Sequence, residues 1–190
     1  MNTKEKILIT ARDLIYENGY AGTSVNDILV AANIGKGQFY HYFESKHDIA
    51  LKIIELNISE WEQKLFKPIL MSDNNPDKIF CDMIDWFSKA QESGKPIFHG
   101  CHIGNLIVEF SAKEEYFRTL LRDLLLTLAD LIAKNLMRLN NNRFDTYGVA
   151  FNEAKFIIAV IQGNTLLLKA TQDINVFKDN LNLLKNKYLK

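Results

Sequence analysis

Between Asn33 and Phe43 the chain reads Asn-Ile-Gly-Lys-Gly-Gln-Phe-Tyr-His-Tyr-Phe, and the chemistry on offer is hydrogen bonding to a groove and to phosphates. Phe39 and Phe43 are four residues apart, so on a helix they share the face turned to a core and leave Lys36, Gly37, Gln38, Tyr40 and His41 pointing elsewhere. Lys and Gln can hydrogen-bond base edges, and Tyr and His can reach phosphate oxygens. Gly37, with no side chain, lets the helix come close to a duplex.

Those side chains need a scaffold that holds the helix outward. Thr23 and Ser24 can cap a preceding short helix, in which Val25, Ile28, Leu29 and Ala32 follow at i, i+3, i+4 and i+7 as one apolar stripe. Asn33-Ile34-Gly35 then breaks the pattern: Asn and Gly tolerate the left-handed backbone of a tight turn, and Ile34 can plug the gap between two helices. Ser45 with Asp48 reads as a capping box for a further helix, whose amino end with Lys46 is suited to anchoring a phosphate. An earlier helix spans about Thr3 to Asn18, with Ile7, Leu8, Ala11, Leu14 and Ile15 as its stripe and Gly19 as its stop. Two short helices around a turn, followed by a capped third, form the layout of a helix-turn-helix.

Residues 3 to 50 resemble the amino-terminal domain of the tetracycline-repressor (TetR) family of bacterial transcription regulators. The matching pieces are Ile7, Ala11, Leu14 and Gly19, then Thr23-Ser24-Val25, Asp27-Ile28, Ala32-Asn33-Ile34, Gly37, Phe39 to Phe43 and Lys46. The resemblance implies a sequence-specific transcriptional regulator that contacts double-stranded DNA through Thr23, Ser24, Asn26, Lys36, Gly37, Gln38, Tyr40, His41, Tyr42 and Lys46. It also implies a repressor released from a palindromic operator by a small effector. Asn26 stands where the family often has Arg, and Gly35 where Ser is common, so contacts there should be weaker. Charge fits a reader with few cations: residues 1 to 48 hold five Lys and Arg against six Asp and Glu. His41 and His47 could add charge beside a phosphate. Non-specific affinity comes from cations that release counterions, so modest non-specific binding and a dependence on two copies are expected.

The rest of the chain reads as helix between sparse breaks, giving an all-α fold of about nine helices: a helix-turn-helix domain over 1–48 and a larger helical ligand-binding and dimerisation domain over 49–190. The Lys46 helix should run to near Phe66 and end at Pro68 and Ser72 to Asn75, after which Asn75 caps the next helix. Breaks follow at Ser93 to Pro96 and at Asn140 to Asn142, and Ser111 with Glu114 reads as the box of a long helix. Two last helices are expected over about 152–171 and 176–187. The first of them is apolar around most of its circumference and must be buried on two sides. It is either the centre of a monomeric bundle or, as the resemblance implies, part of a homodimer interface made by Phe156, Val160, Gly163, Leu167, Leu181 and Leu184.

Aromatic residues crowd the body, and the resemblance puts a ligand cavity there. Trp61, Phe66, Phe80, Trp86, Phe87, Phe98, Cys101, His102, Asn105 and Phe110 are its candidate lining, which suits an apolar or aromatic effector. Taken singly, each aromatic fits a filled core better than a ligand contact, and it is as a group that they suggest an effector. Gly100-Cys101-His102-Ile103-Gly104-Asn105-Leu106 is similar to a G-C-x-x-G-N-L segment of a TetR branch, some of whose members answer reactive electrophiles. Cys101 near a helix amino end, between two histidines, is placed for thiolate chemistry, with an inert core thiol as the alternative. His99, Cys101 and His102 are too crowded to ligate one tetrahedral ion together, so neither a metal nor a cofactor is expected.

No nucleophile–base pair, P-loop or paired carboxylate is evident, which argues against an enzyme. A helical small-molecule-binding or interaction protein without a DNA role would account for 50–190 but not for the Tyr40-His41 face. No apolar run reaches the ~20 residues that span a bilayer, and the polar opening is unlike a signal peptide, so a cytoplasmic, non-membrane protein is expected.

Overall fold

The computed structural model describes residues 2–92, 97–139 and 144–189. Among these the chain forms nine α-helices and no strand: α1 (Thr3–Asn18), α2 (Val25–Ala32), α3 (Lys36–Tyr42), α4 (Lys46–Trp61), α5 (Pro76–Ala90), α6 (His102–Phe110), α7 (Glu115–Arg138), α8 (Tyr147–Thr171) and α9 (Ile174–Tyr188). A π-helical segment, Glu62–Leu70, follows α4. The all-α expectation holds. The expected breaks at Ser93–Pro96 and Asn140–Asn142 lie outside the described residues.

Two compact units emerge. One holds the chain up to Ser59 together with His102–Leu121, and the other holds Glu60–Cys101 together with the chain from Arg122 onward. The sequence expectation cut the chain once, after residue 48. In the first unit, however, α6 returns to pack on α1, so residues far apart in sequence share one core.

That first core is built from the predicted stripes, Ile7, Ala11 and Ile15 of α1, Ile28, Leu29 and Ala32 of α2 and Phe39 and Phe43 at α3, joined by Ile49, Ala50, Ile53 and Ile54 of α4. Burying each large side chain is worth roughly 1.5–3 kcal/mol. Local chemistry sets the ends. Asn2 and Glu5 form a capping box at α1, and Ser24 and Asp27 form one at α2. Asn33 closes α2 in the left-handed conformation, φ 51°. Gly35, expected to share that role, is extended (φ −84°) and opens α3 instead. At α4 the Asp48 N–H donates to Ser45 Oγ (3.0 Å), while the Asp48 carboxylate accepts from Glu44 N–H (3.0 Å), one residue earlier than a reciprocal box requires.

In the second unit α5 packs on the π-helical segment and on α9, and α9 packs along α8. Pro68 was expected to end the Lys46 helix, yet it lies inside the continuing segment. Proline has no N–H and its ring collides with an α-helical carbonyl four residues back, so the wider winding accommodates it. Met71 N–H accordingly donates to Phe66 O, five residues back (2.8 Å). Asn135 donates to the Leu70 carbonyl at 2.8 Å and so satisfies the end of that segment. Asn164, 3% exposed, donates to Phe177 O (2.8 Å) and accepts from Asn180 (2.9 Å), which fixes the register of α8 against α9.

Three boundaries differ from expectation. Ser111–Glu114 is a turn rather than a box, with α7 starting at Glu115. Thr146 caps α8 five residues earlier than expected, and Asp173 caps α9. On α9 the Leu181 and Leu184 side chains, expected at a dimer interface, are buried inside the protomer by α5 and α8, whereas Leu183 is 67% exposed.

The Ser24–Asp27 box should be measurable. Asp27 is held below the usual carboxylate range by the Ser24 hydroxyl and then by the Ser24 backbone N–H. A depressed carboxylate stabilises the fold above its unfolded pKa, and the contribution is lost as pH falls through the lower folded value. Ser24→Ala should therefore cost about 1 kcal/mol in chemical denaturation at neutral pH. That penalty should shrink in acid as Asp27 protonates.

Candidate nucleic-acid interface

The outward face of α3 follows from its inward one. Phe39 is fully buried and Phe43 nearly so, with their rings 5.7 Å apart. Lys36, Gly37, Gln38, Tyr40, His41 and Tyr42 are all exposed, Tyr40 to 55%. Gln38 Oε1 accepts from Gly35 N–H (3.3 Å), so the amide nitrogen is the donor that Gln38 would present to a base. A side chain at Gly37 would meet nothing within 4 Å. Its smallness therefore has no reason inside the protein and suits the approach of an outside surface.

Ser24 and Asn26 are exposed at the start of α2. Thr23 is not: it is 1% exposed, with its hydroxyl between the carbonyls of Gly19 (2.8 Å) and Leu14 (3.2 Å). Its expected DNA contact is corrected to a structural one, because Ser24 takes the cap and turns Thr23 inward. His47, expected beside a phosphate, instead lies 3.6 Å from Glu114 and stacks on Phe117 at 4.6 Å. Lys46 is half-buried, with its ammonium 4.2 Å above the Tyr20 ring and within the field of the Asp27 carboxylate.

Two contributors, Glu109 and Tyr20, escaped the sequence. The Glu109 carboxylate on α6 accepts from Tyr20 N–H (2.7 Å) and Ala21 N–H (3.4 Å), closing the turn after α1. Gly19 in that turn has φ 79°, which favours glycine, and a Cβ there would stand 2.7 Å from Glu109 Oε1, so that the end of the Glu109 side chain would have to shift. The Tyr20 ring packs at 4.7 Å on Phe110. Burial, and then the charge of Glu114, push the Tyr20 hydroxyl pKa up. Nothing local signals these contacts, since 89 residues separate Tyr20 from Glu109.

The candidate effector residues fall into several groups. Trp61 meets Trp86, Phe87 and Phe66 edge-on at 5.8, 5.9 and 6.3 Å. Phe80 packs on Tyr188 at 5.1 Å. The Phe98 backbone is strapped by Gln172, which accepts from its N–H (2.8 Å) and donates to its carbonyl (2.9 Å). Cys101 Sγ accepts from Gln162 at 3.7 Å, and neither cysteine is in a disulfide. His102, Asn105 and Phe110 belong to the other unit: His102 stacks on Tyr16 with centroids 3.7 Å apart, and Asn105 borders a small cavity with Arg12, Asn57 and Glu109. Of the ten, the structure brings Trp61, Phe66, Trp86 and Phe87 together in one cluster. Among the described residues no cluster of three or more His, Cys, Asp or Glu is placed to hold a metal, and no helix is long and apolar enough to cross a membrane.

Comparison with known proteins bears on what this face does. The family described as bacterial regulatory proteins, tetR family, matches residues 7–53, which hold α2, α3 and the start of α4. A protein of Lactococcus lactis subsp. lactis, described as an uncharacterized HTH-type transcriptional regulator in the lacX 3′ region, is 44% identical over 189 residues, 100% of this chain and 94% of its own. The chain belongs to the TetR family. As a TetR-family protein it is a DNA-binding transcriptional regulator and not an enzyme. The repressor NemR of Escherichia coli K12 is 24% identical over 187 residues, 97% of this chain and 93% of its own. The TetR regulator of Legionella pneumophila shares the fold, with a TM-score of 0.83 over 99% of this chain and 98% of that one, at 20% identity.

Because Gly37 is open on the exposed face of α3, Gly37→Leu tests whether that face reads DNA without disturbing the fold. The substitution should leave thermal stability unchanged or raise it by up to about 1 kcal/mol, since leucine is the better helix former. Affinity for operator DNA, followed by fluorescence anisotropy, should fall roughly tenfold or more, because each displaced base contact is worth about 1–3 kcal/mol.

Proposed function

We propose that this TetR-family regulator is a homodimeric repressor of a palindromic operator, with Lys36, Gly37 and Gln38 at the bases and Ser24, Asn26, Tyr40, His41, Tyr42 and Lys46 at the sugar-phosphate backbone. The observation that carries this reading is the α3 face, where exposed donors surround a glycine with no internal reason to be small. An Escherichia coli relative that is itself a repressor favours repression. Recovery of a palindrome when the protein selects from random duplex DNA tests it; a non-palindromic or absent consensus would sink it.

Dimerisation has its own support. Along α8 the residues Val149, Phe156, Ala159, Gly163, Leu166, Leu167 and Ala170 are exposed at helical spacing, and Leu183 of α9 is exposed too. Phe156 at 47%, Leu167 at 49% and Leu166 at 68% form an apolar stripe of the kind that a partner covers. Gly163 interrupts the stripe, and a side chain there would meet nothing within 4 Å. A second copy would also supply the second reading head that a two-fold operator requires. Gly163→Leu should therefore leave the protomer folded by circular dichroism but shift sedimentation toward monomer and abolish tight operator binding. A monomeric parent protein at micromolar concentration would end the proposal.

For the effector we propose an apolar aromatic compound admitted among Trp61, Phe66, Trp86 and Phe87, or an electrophile that meets Cys101. Gln162 donates a hydrogen bond to the sulfur, which favours the thiolate that such chemistry needs. The signal would travel along α4, which carries Lys46 at one end and Trp61 at the other. An effector shifts DNA affinity only if it binds the two conformations unequally. Operator binding titrated with apolar aromatic compounds should respond less in Trp61→Ala than in the parent, while basal affinity changes less than the response. Titrated with a mild oxidant or an alkylating electrophile, Cys101→Ser should lose the response and Trp61→Ala should keep it. Unaltered responses in both variants would remove these residues from effector recognition.

A further inference from the structure

Lys46 is the cation at the amino end of α4, and the proposed function gives it a phosphate; that reading is the premise here. Its surroundings are unusual for a surface lysine. The ammonium stands 4.2 Å from the centroid of the Tyr20 ring, and the Asp27 carboxylate acts on it from α2. The ring itself is fixed. Its own backbone N–H donates to Glu109 at 2.7 Å and the ring packs on Phe110 at 4.7 Å, both on α6, while Glu114 acts on its hydroxyl. A lysine side chain has four rotatable bonds, and ordering them at a phosphate is an entropic cost that preorganisation removes.

We propose that Tyr20 is a positioning residue for DNA binding: its ring holds the Lys46 ammonium by a cation–π contact, and its bonds to Glu109 and Phe110 make the position of that ammonium depend on α6. The ring attracts the cation through its negative face, so one side of the ammonium is stabilised while its N–H groups remain available to a phosphate. Asp27 acts on the same ammonium while its Oδ2 accepts from the Ser24 N–H and hydroxyl, each at 2.7 Å. The arrangement gives α6 a route to the reading head that does not pass along the length of α4.

The test is a double-mutant cycle read as operator affinity, with a duplex selected from random DNA by the parent protein. Lys46→Ala should weaken binding and lower the salt slope by about one phosphate contact. Tyr20→Leu should weaken binding roughly two- to fivefold, the size of an exposed cation–π contact, and Tyr20→Phe should retain parent affinity. In the Lys46→Ala background Tyr20→Leu should do nothing further. Should Tyr20→Leu impair folding, replacing Tyr20 with phenylalanines of increasing ring fluorination keeps the ring and drains its negative face. Affinity should then fall stepwise with fluorination, and only when Lys46 is present. Additive losses in the cycle, equal losses for Tyr20→Phe and Tyr20→Leu, or indifference to fluorination would each overturn the role of Tyr20. An unaltered affinity in Lys46→Ala would instead overturn the premise about Lys46.

Discussion

The first unit depends on one carboxylate. Glu109 accepts the N–H groups of Tyr20 and Ala21 at Oε2 where α1 ends, while its Oε1 stands 2.7 Å from where a Cβ at position 19 would lie. Those donors sit where a chain leaving a helix has lost its internal partners, and an ionised acceptor satisfies them more strongly than a neutral one. Thr23 completes the closure from the other side with its hydroxyl between the Gly19 and Leu14 carbonyls. The turn that delivers the chain into α2 is therefore built by α6, and the reading helices inherit their placement from it.

How much of this could be read in the chain follows from range. The helix ends of the reader were legible because caps are local: Ser24 with Asp27, Asn33 as a left-handed stop, Ser45 beneath Asp48. The face of α3 was legible because Phe39 and Phe43 declare the buried side and leave the rest outside. Thr23 was misread because two adjacent hydroxyl residues compete for one cap, and only the three-dimensional turn decides which loses. The gathering of α6 with α1 was not legible at all, since its contacts are 88 and 89 residues apart and rest on a glutamate of no recognisable motif.

In the second unit the failures are of phase rather than type. A run such as Asn180 to Leu184 offers leucines at 181, 183 and 184, and burial of 181 and 184 against α5 and α8 leaves 183 outside. The Asn164–Asn180 pair decides that phase, and buried amides of this sort specify register more than they add stability. Pro68 failed differently. A proline normally argues for a helix end, but a π-helical winding lets the chain continue past it, with Asn135 closing the last turn.

The near balance of charge in the reader bears on how such a protein would find its site. Five lysines and arginines face six acids over residues 1–48, and two of those acids, Asp27 and Asp48, are engaged at helix caps. Random duplex would then hold such a protein weakly, because few counterions would be released on contact. A weakly held protein dissociates from decoy sequence quickly, travels more through solution than along the helix, and loses little of its population to the rest of a chromosome. Few copies per cell suffice to occupy an operator under those conditions, and occupancy tracks changes in specific affinity promptly.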